Sequence, residues 1–225
     1  MLARILPPEV VAVEAFEDDQ DATLFPEEEA VIAAAVAKRR REFATVRACA
    51  RAALARLGER PAAILPGADG APVWPEGVAG SLTHCDGYRA AALARTSDVT
   101  TIGLDAEPAG PLPDGVLDLV ATAAERVQLA ALAARAPGTH WDRLLFSAKE
   151  SVYKAWYPLA RRWLGFEEAE LTIDQNGGTF VARILVPGPV VDGATVTRFD
   201  GRWAAGDGLI LTAITCLRRD RSGDR

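Results

Sequence analysis

Apolar residues recur at helical spacing from Ile32 through Val36, Phe43, Ala50 and Leu54 to Leu57, and the run opens on Pro26 with Glu27, Glu28 and Glu29 and closes at Gly58. Proline in a first turn, acids at the positive end of the helix dipole and a terminal glycine predict a helix over 26–58. Helical periodicity returns at Val116–Arg135 and Trp141–Trp156. Strand-like runs fall at Tyr88–Ala94 and Thr100–Asp105, which are expected to pair, and later at Glu170–Ile173, Thr179–Val186, Val190–Phe199, Gly201–Ala205 and Leu209–Cys216. The stretch before Pro26 reads as irregular, Pro61–Pro75 as a loop leading past Trp74, Ser81–Gly87 as a glycine-bounded turn, and Arg218–Arg225 as a frayed charged end. Each half runs from helix into strands, which predicts an α+β fold. The Pro/Gly-rich connection Pro108–Gly115 divides an N-terminal lobe, 1–107, from a C-terminal lobe, 108–225.

Composition narrows the class. A chain of 225 residues that is 49% hydrophobic and 25% charged can bury a core as one large domain or two small lobes. Three scattered cysteines, Cys49, Cys85 and Cys216, without CxxC spacing point away from a disulfide framework or zinc site and toward the cytoplasm. Paired prolines at Pro7 and Pro8 interrupt any signal-peptide core, and no apolar run reaches membrane-spanning length, so neither secretion nor a membrane partner is expected. A net charge of −6 argues against a nucleic-acid partner. The bases are uneven, however: Lys38, Arg39, Arg40, Arg41, Arg47, Arg51 and Arg56 crowd one segment, which suits a small polyanion.

Two strings carry the chemistry. In Gly103-Leu104-Asp105-Ala106-Glu107 the two acids are two residues apart on a strand, so both face one side before Pro108 ends it. Alone, they fit a hard-cation site or an exposed acidic strand end. In Ser147-Ala148-Lys149-Glu150-Ser151-Val152-Tyr153-Lys154, the residues Ser147, Glu150, Ser151 and Lys154 share one helical face, opposite Leu144, Leu145, Ala148, Val152, Ala155 and Trp156. Alone, Glu150 and Lys154 make an ordinary one-turn ion pair. Together the strings supply three carboxylates, Asp105, Glu107 and Glu150, and two ammonium groups, the inventory for holding Mg²⁺ against a pyrophosphate.

Three further residues bear on phosphate. Arg39 falls inside the apolar stripe, where an inward guanidinium requires an anion, either a ligand or a structural partner. Arg47 borders that stripe and is the better functional candidate among its neighbours. His84 lies among hydroxyls and backbone amides, which suits phosphate binding or a structural hydrogen bond. Ser81, His84 and Asp86 lack the G-x-S-x-G elbow of a hydrolase triad.

With these residues in this order, the chain resembles the 4′-phosphopantetheinyl transferases, specifically the monomeric two-lobed Sfp-type group. The likeness runs through the Arg-rich helix 38–56, Trp74-Pro75, Ser81–Gly87, Gly103–Glu107 and Phe146–Lys154. It implies two similar lobes related by a pseudo-twofold, each with a helix on a small, mainly antiparallel sheet. It also implies Mg²⁺, or Mn²⁺ in its place, on Asp105, Glu107 and Glu150, with coenzyme A phosphates on Arg39, Arg47, His84, Lys149 and Lys154. Glu150 and Lys154 take the catalytic roles, as proton acceptor and leaving-group stabiliser. The implied reaction moves the phosphopantetheine arm of coenzyme A to a serine of an apo acyl or peptidyl carrier protein. One departure is the loop Leu65–Val73, which holds no Lys or Arg where relatives often carry a base. The competing readings are a Mg²⁺-dependent nucleotide diphosphate phosphohydrolase and a non-catalytic coenzyme A or carrier-binding module.

Overall fold

Seven of the eight residues in Tyr88–Arg95 are buried although the segment alternates no polar face, the signature of a strand covered on both sides. The computed structural model describes residues 1–67 and 69–218 and explains why. The strand, β3, is the centre of a three-stranded antiparallel sheet between β1 (Val11–Ala15) and β2 (Val78–Cys85). Ala91 and Leu93 meet Cys49, Ala50, Ala53 and Leu54 of the long helix α2 (Ala37–Arg56), preceded by the short α1 (Pro26–Ile32). Tyr88, Ala90, Ala92 and Ala94 meet Ile102, Leu104 and Ala106 of β4 (Val99–Pro108).

β4 belongs to a second sheet, of five strands in the order β4-β10-β9-β6-β5. Its other members are β5 (Ala169–Asp174), β6 (Thr179–Ile184), β9 (Arg198–Gly206) and β10 (Leu209–Leu217). A separate two-residue ribbon, β7 (Val190–Val191) with β8 (Ala194–Thr195), stands apart. Two helices, α3 (Val116–Val120) and α4 (Ala123–Arg135), precede the long α5 (Trp141–Ala160), which packs on β4 and β10. The α+β class, with one long helix on an antiparallel sheet in each half, is therefore observed.

The two sheets meet where β4 runs beside β2. No backbone ladder joins them; instead the Leu104 N–H donates to the Ser81 hydroxyl at 3.0 Å and the Ala106 N–H to the Thr83 hydroxyl at 3.0 Å. All four residues are buried, so the hydroxyls satisfy amides that would otherwise be stranded.

Several expectations change. The predicted helix 26–58 breaks at 33–36, and Val36 is 73% exposed rather than in the stripe. The predicted helix 116–135 breaks at Thr122, whose hydroxyl accepts from Glu125 N while the Glu125 carboxylate accepts from Thr122 N, a local cap that restarts the helix. The irregular N-terminus contains β1, held by β3, and the expected turn 81–87 is mostly β2, with only Asp86-Gly87 as the loop. β3 and β4 do not pair: β4's ladder partner is β10, so the proposed boundary at 107 cuts off a strand hydrogen-bonded to the second half. The segment 190–199 forms the short ribbon and the start of β9 instead of one strand. Residues 219–225 of the expected frayed end lie outside the described residues. Among the described residues no helix is long and apolar enough to cross a membrane.

Candidate active site

Gly103 determines how closely α5 approaches β4. A Cβ built there would stand 1.9 Å from the Ser151 carbonyl oxygen, so only glycine lets the helix backbone rest on the strand. Thr101 Oγ1 donates to the Ala155 carbonyl at 2.9 Å on the same face, and Ser147 Oγ and Thr212 Oγ1 share a bond of 2.9 Å. The polar face of α5 is thus turned onto the sheet, and Ser147 and Ser151 are buried.

This contact brings Lys154 over Asp105. Its ammonium donates to Asp105 Oδ1 at 2.7 Å and to the Leu104 carbonyl at 3.0 Å. Asp105 is 5% exposed, and its Oδ2 is buried without a hydrogen-bond partner. Glu107, two residues on, receives a bond from Arg143 Nη1 at 2.8 Å. Burial first and then the negative charge of Asp105 push the Glu107 carboxyl pKa up, against Arg143 and Lys154. Burial and Asp105 raise that of Glu150 in the same way, with Lys154 opposing and Glu107 adding to the rise. The three acids therefore lie within one electrostatic neighbourhood. Among the described residues, no three Asp, Glu, His or Cys side chains form a ready metal cage as they rest, with Lys154 and Arg143 engaging two of the acids.

Across the β2–β4 junction lie the expected phosphate ligands. Arg39 makes a short contact from Nη1 to His84 Nε2, while His84 Nδ1 stands 3.8 Å from Glu42 Oε2. Arg39 is exposed and does not face the core as its place in the stripe suggested: it lies in the first turn of α2, ahead of Glu42 and Phe43, where the helix's buried residues begin. Partial burial, then the charge of Arg39, lower the His84 pKa. Arg47 is buried, donates from Nε to the Ile64 carbonyl at 3.2 Å and lies over the Phe43 ring. Burial brings its pKa down to about 10, with Glu28 opposing and Arg39 and Arg51 adding to the fall.

Lys149 stands elsewhere. Its side chain is 2% exposed, and its ammonium meets Glu125 Oε2 at 2.9 Å, the Phe166 carbonyl at 2.6 Å and the Ala169 carbonyl at 3.0 Å. An ammonium has three donors and all are engaged, so as the protein rests Lys149 has none free for the expected phosphate contact.

The 4′-phosphopantetheinyl transferase N-terminal domain model matches residues 27–94, and the 4′-phosphopantetheinyl transferase superfamily model matches residues 101–198. This chain belongs to the 4′-phosphopantetheinyl transferase superfamily. It is 61% identical over 217 residues to the 4′-phosphopantetheinyl transferase Svp of Streptomyces mobaraensis, covering 95% of this chain and 88% of that one. It is 53% identical to Npt of Nocardia iowensis over 222 residues, covering 95% and 99%, and 48% identical to PptT of Mycobacterium tuberculosis over 222 residues, covering 95% and 97%. Both of these are also 4′-phosphopantetheinyl transferases by name.

For a phosphopantetheinyl transferase the site holds more than the two motifs. A cavity of about 110 Å³ opens beside Glu150, walled by Tyr153, Trp163, Leu164 and Phe166. Tyr153 and Trp163 meet in a tilted pair with centroids 4.7 Å apart. Arg143, Glu42 and Thr83 were not singled out from sequence. For Arg143 a signal existed: it lies four residues before Ser147 and seven before Glu150, on the same helical face.

Proposed function

We propose that this transferase draws coenzyme A into the junction between its halves, with Asp105, Glu107 and Glu150 holding Mg²⁺ and Lys154, Arg39, Arg47 and His84 meeting the phosphates. The observation that carries the reading is the buried, partnerless Oδ2 of Asp105 beside two acids whose pKa values its charge raises. A buried bare carboxylate oxygen among like charges is costly, and a hard cation relieves both penalties. The donor set fits Mg²⁺, which takes only a few protein carboxylates and keeps places for phosphate and water. Mn²⁺ has the same oxygen preference. When bound, the ion supplies charge neutralisation at the pyrophosphate.

The chain's own groups supply the rest. Glu150, the carboxylate on the helix face turned toward the site, accepts the proton of the carrier serine. The serine oxygen bonds to the phosphorus bearing the pantetheine arm, and the bond from that phosphorus to the bridging oxygen breaks. Lys154 meets the charge appearing on the departing adenosine 3′,5′-bisphosphate. The apolar cavity beside Glu150 accommodates the arm, and Lys149, tied to Glu125, fixes the helix that carries Glu150. Both walls come from one chain, in keeping with a monomer. The free thiols Cys49, Cys85 and Cys216 fit the reducing cytoplasm.

Incubation with coenzyme A, Mg²⁺ and an apo-carrier protein, read by mass spectrometry, tests this directly. The expected result is a carrier heavier by one phosphopantetheine group, lost on chelation of the metal and in Glu150→Ala. Undiminished transfer after chelation, or by Glu150→Ala, refutes the assigned roles.

A further inference from the structure

The first turn of α5 holds a guanidinium that bonds through each of its three nitrogens to the end of β4 and the connection beyond it. Arg143 Nη1 donates to Glu107 Oε2 at 2.8 Å, Nε to the Gly110 carbonyl at 3.1 Å, and Nη2 to the Pro111 carbonyl. The adjacent Asp142 accepts from Leu112 N at 2.8 Å. Both residues clamp the connection between the halves, but only Arg143 touches a carboxylate. That pair is mostly removed from water, at 17% and 20% side-chain exposure, where a charge-assisted bond holds its geometry.

We propose that Arg143 is a positioning residue for the transfer reaction, gripping one oxygen of Glu107 so that the carboxylate is presented to the divalent cation of the coenzyme A site. The inference rests on the metal reading above. Glu107 sits half-buried beside the like charge of Asp105, so an unheld side chain would swing toward solvent. Arg143 removes that freedom. Its planar fork reaches three acceptors in fixed directions, which ties the orientation of Glu107 to the connection 110–112. Lysine, a single point of charge on a flexible stem, cannot span all three. Losing a partner of this kind costs metal affinity or activity, and because Arg143 touches only the carboxylate and backbone carbonyls, its loss is expected to show in affinity for the ion.

The test is Mn²⁺ binding to the full chain with saturating coenzyme A, followed by the electron paramagnetic resonance signal of free Mn²⁺, alongside the Mg²⁺ dependence of transfer. Arg143→Gln is expected to weaken Mn²⁺ binding by about 10–100-fold, the usual cost of losing such a partner. The Mg²⁺ concentration for half-maximal transfer rises by the same factor, while kcat at saturating Mg²⁺ stays close to that of the unaltered protein. Arg143→Lys recovers part of the loss. Asp142→Ala removes only the bond to Leu112 N and leaves Arg143 on Glu107, Gly110 and Pro111, so it lowers the melting temperature and leaves Mn²⁺ affinity in place. Unchanged Mn²⁺ affinity in a folded Arg143→Gln protein overturns the proposal, as does an equal shift in Asp142→Ala. A separate failure is recognisable: if the unaltered protein takes up no Mn²⁺ beside coenzyme A, or Glu107→Gln binds it equally well, the metal reading falls and the positioning role falls with it.

Discussion

Lys154 Nζ lies 2.7 Å from Asp105 Oδ1, while the other oxygen of the same carboxylate is buried without a partner. One half of the group is neutralised and the other is bare. Asparagine at this position keeps the shape and removes the charge. Asp105→Asn is therefore expected to melt within a few degrees of the parent and to lose at least about 100-fold in transfer rate, more than a supporting partner of a metal ligand costs. Carrier mass gain against time, with a melting curve on the same sample, checks both halves. A loss below tenfold would remove Asp105 from the site.

Gly103 gives a packing prediction. The Ser151 carbonyl is backbone and cannot step aside alone, so Gly103→Ala must lift α5 from β4. Overpacking of this kind costs about 3 kcal/mol or more, about 6–12 °C in melting temperature for a chain of this size. Lys154 moves away from Asp105 with the helix, so transfer falls as well. A variant with the parent's melting temperature contradicts the contact.

The buried pair Lys149–Glu125 separates a structural lysine from a phosphate ligand. Lys149→Met leaves Glu125, 0% exposed, without its cation, at a cost of about 3–5 kcal/mol. Adding Glu125→Gln removes the orphan charge while keeping an acceptor for Leu171 N, and should restore part of the stability. Calorimetry of coenzyme A binding on whichever variant folds is expected to give a dissociation constant close to the parent's. A large loss of affinity in a folded Lys149→Met protein would return this residue to the phosphate site.

His84 is expected to make coenzyme A binding sensitive to pH. Its pKa is lowered below 6.5 in the free protein, so the ring is neutral at pH 7. Since the native pKa lies below the unfolded one, stability linked to this group is full above 6.5 and is lost as pH falls through the native value. A phosphate beside the ring reverses the shift, and binding takes up a proton. Calorimetry near pH 7 in two buffers of different ionisation heat should show that uptake in the parent and its loss in His84→Gln. Equal uptake by both proteins would assign the proton to another group.

The two motifs were legible because each is a short string on one regular element. Strand alternation aims Asp105 and Glu107 together, and a helical turn spaces Glu150 from Lys154. What escaped depended on contacts between distant segments. Nothing local in Tyr88–Ala94 and Thr100–Asp105 reveals that β4 leaves its neighbour for β10, more than a hundred residues later. Lys149 and Lys154 look alike in sequence, and only Glu125 and the turn at Phe166–Ala169 decide that one is buried. Arg39 illustrates the limit of periodicity: it keeps the phase of Phe43 but lies in the first turn of α2, ahead of the helix's buried residues.

The seam at Ser81 and Thr83 bears on how firmly the wall beside Asp105 is held. Two hydroxyls fasten the Leu104 and Ala106 amides where no ladder runs. All four residues are buried, so a rotation that broke either bond would leave an amide stranded away from water. The strand that carries Asp105 is thereby pinned to both sheets at once, by backbone along one edge and by side chains along the other.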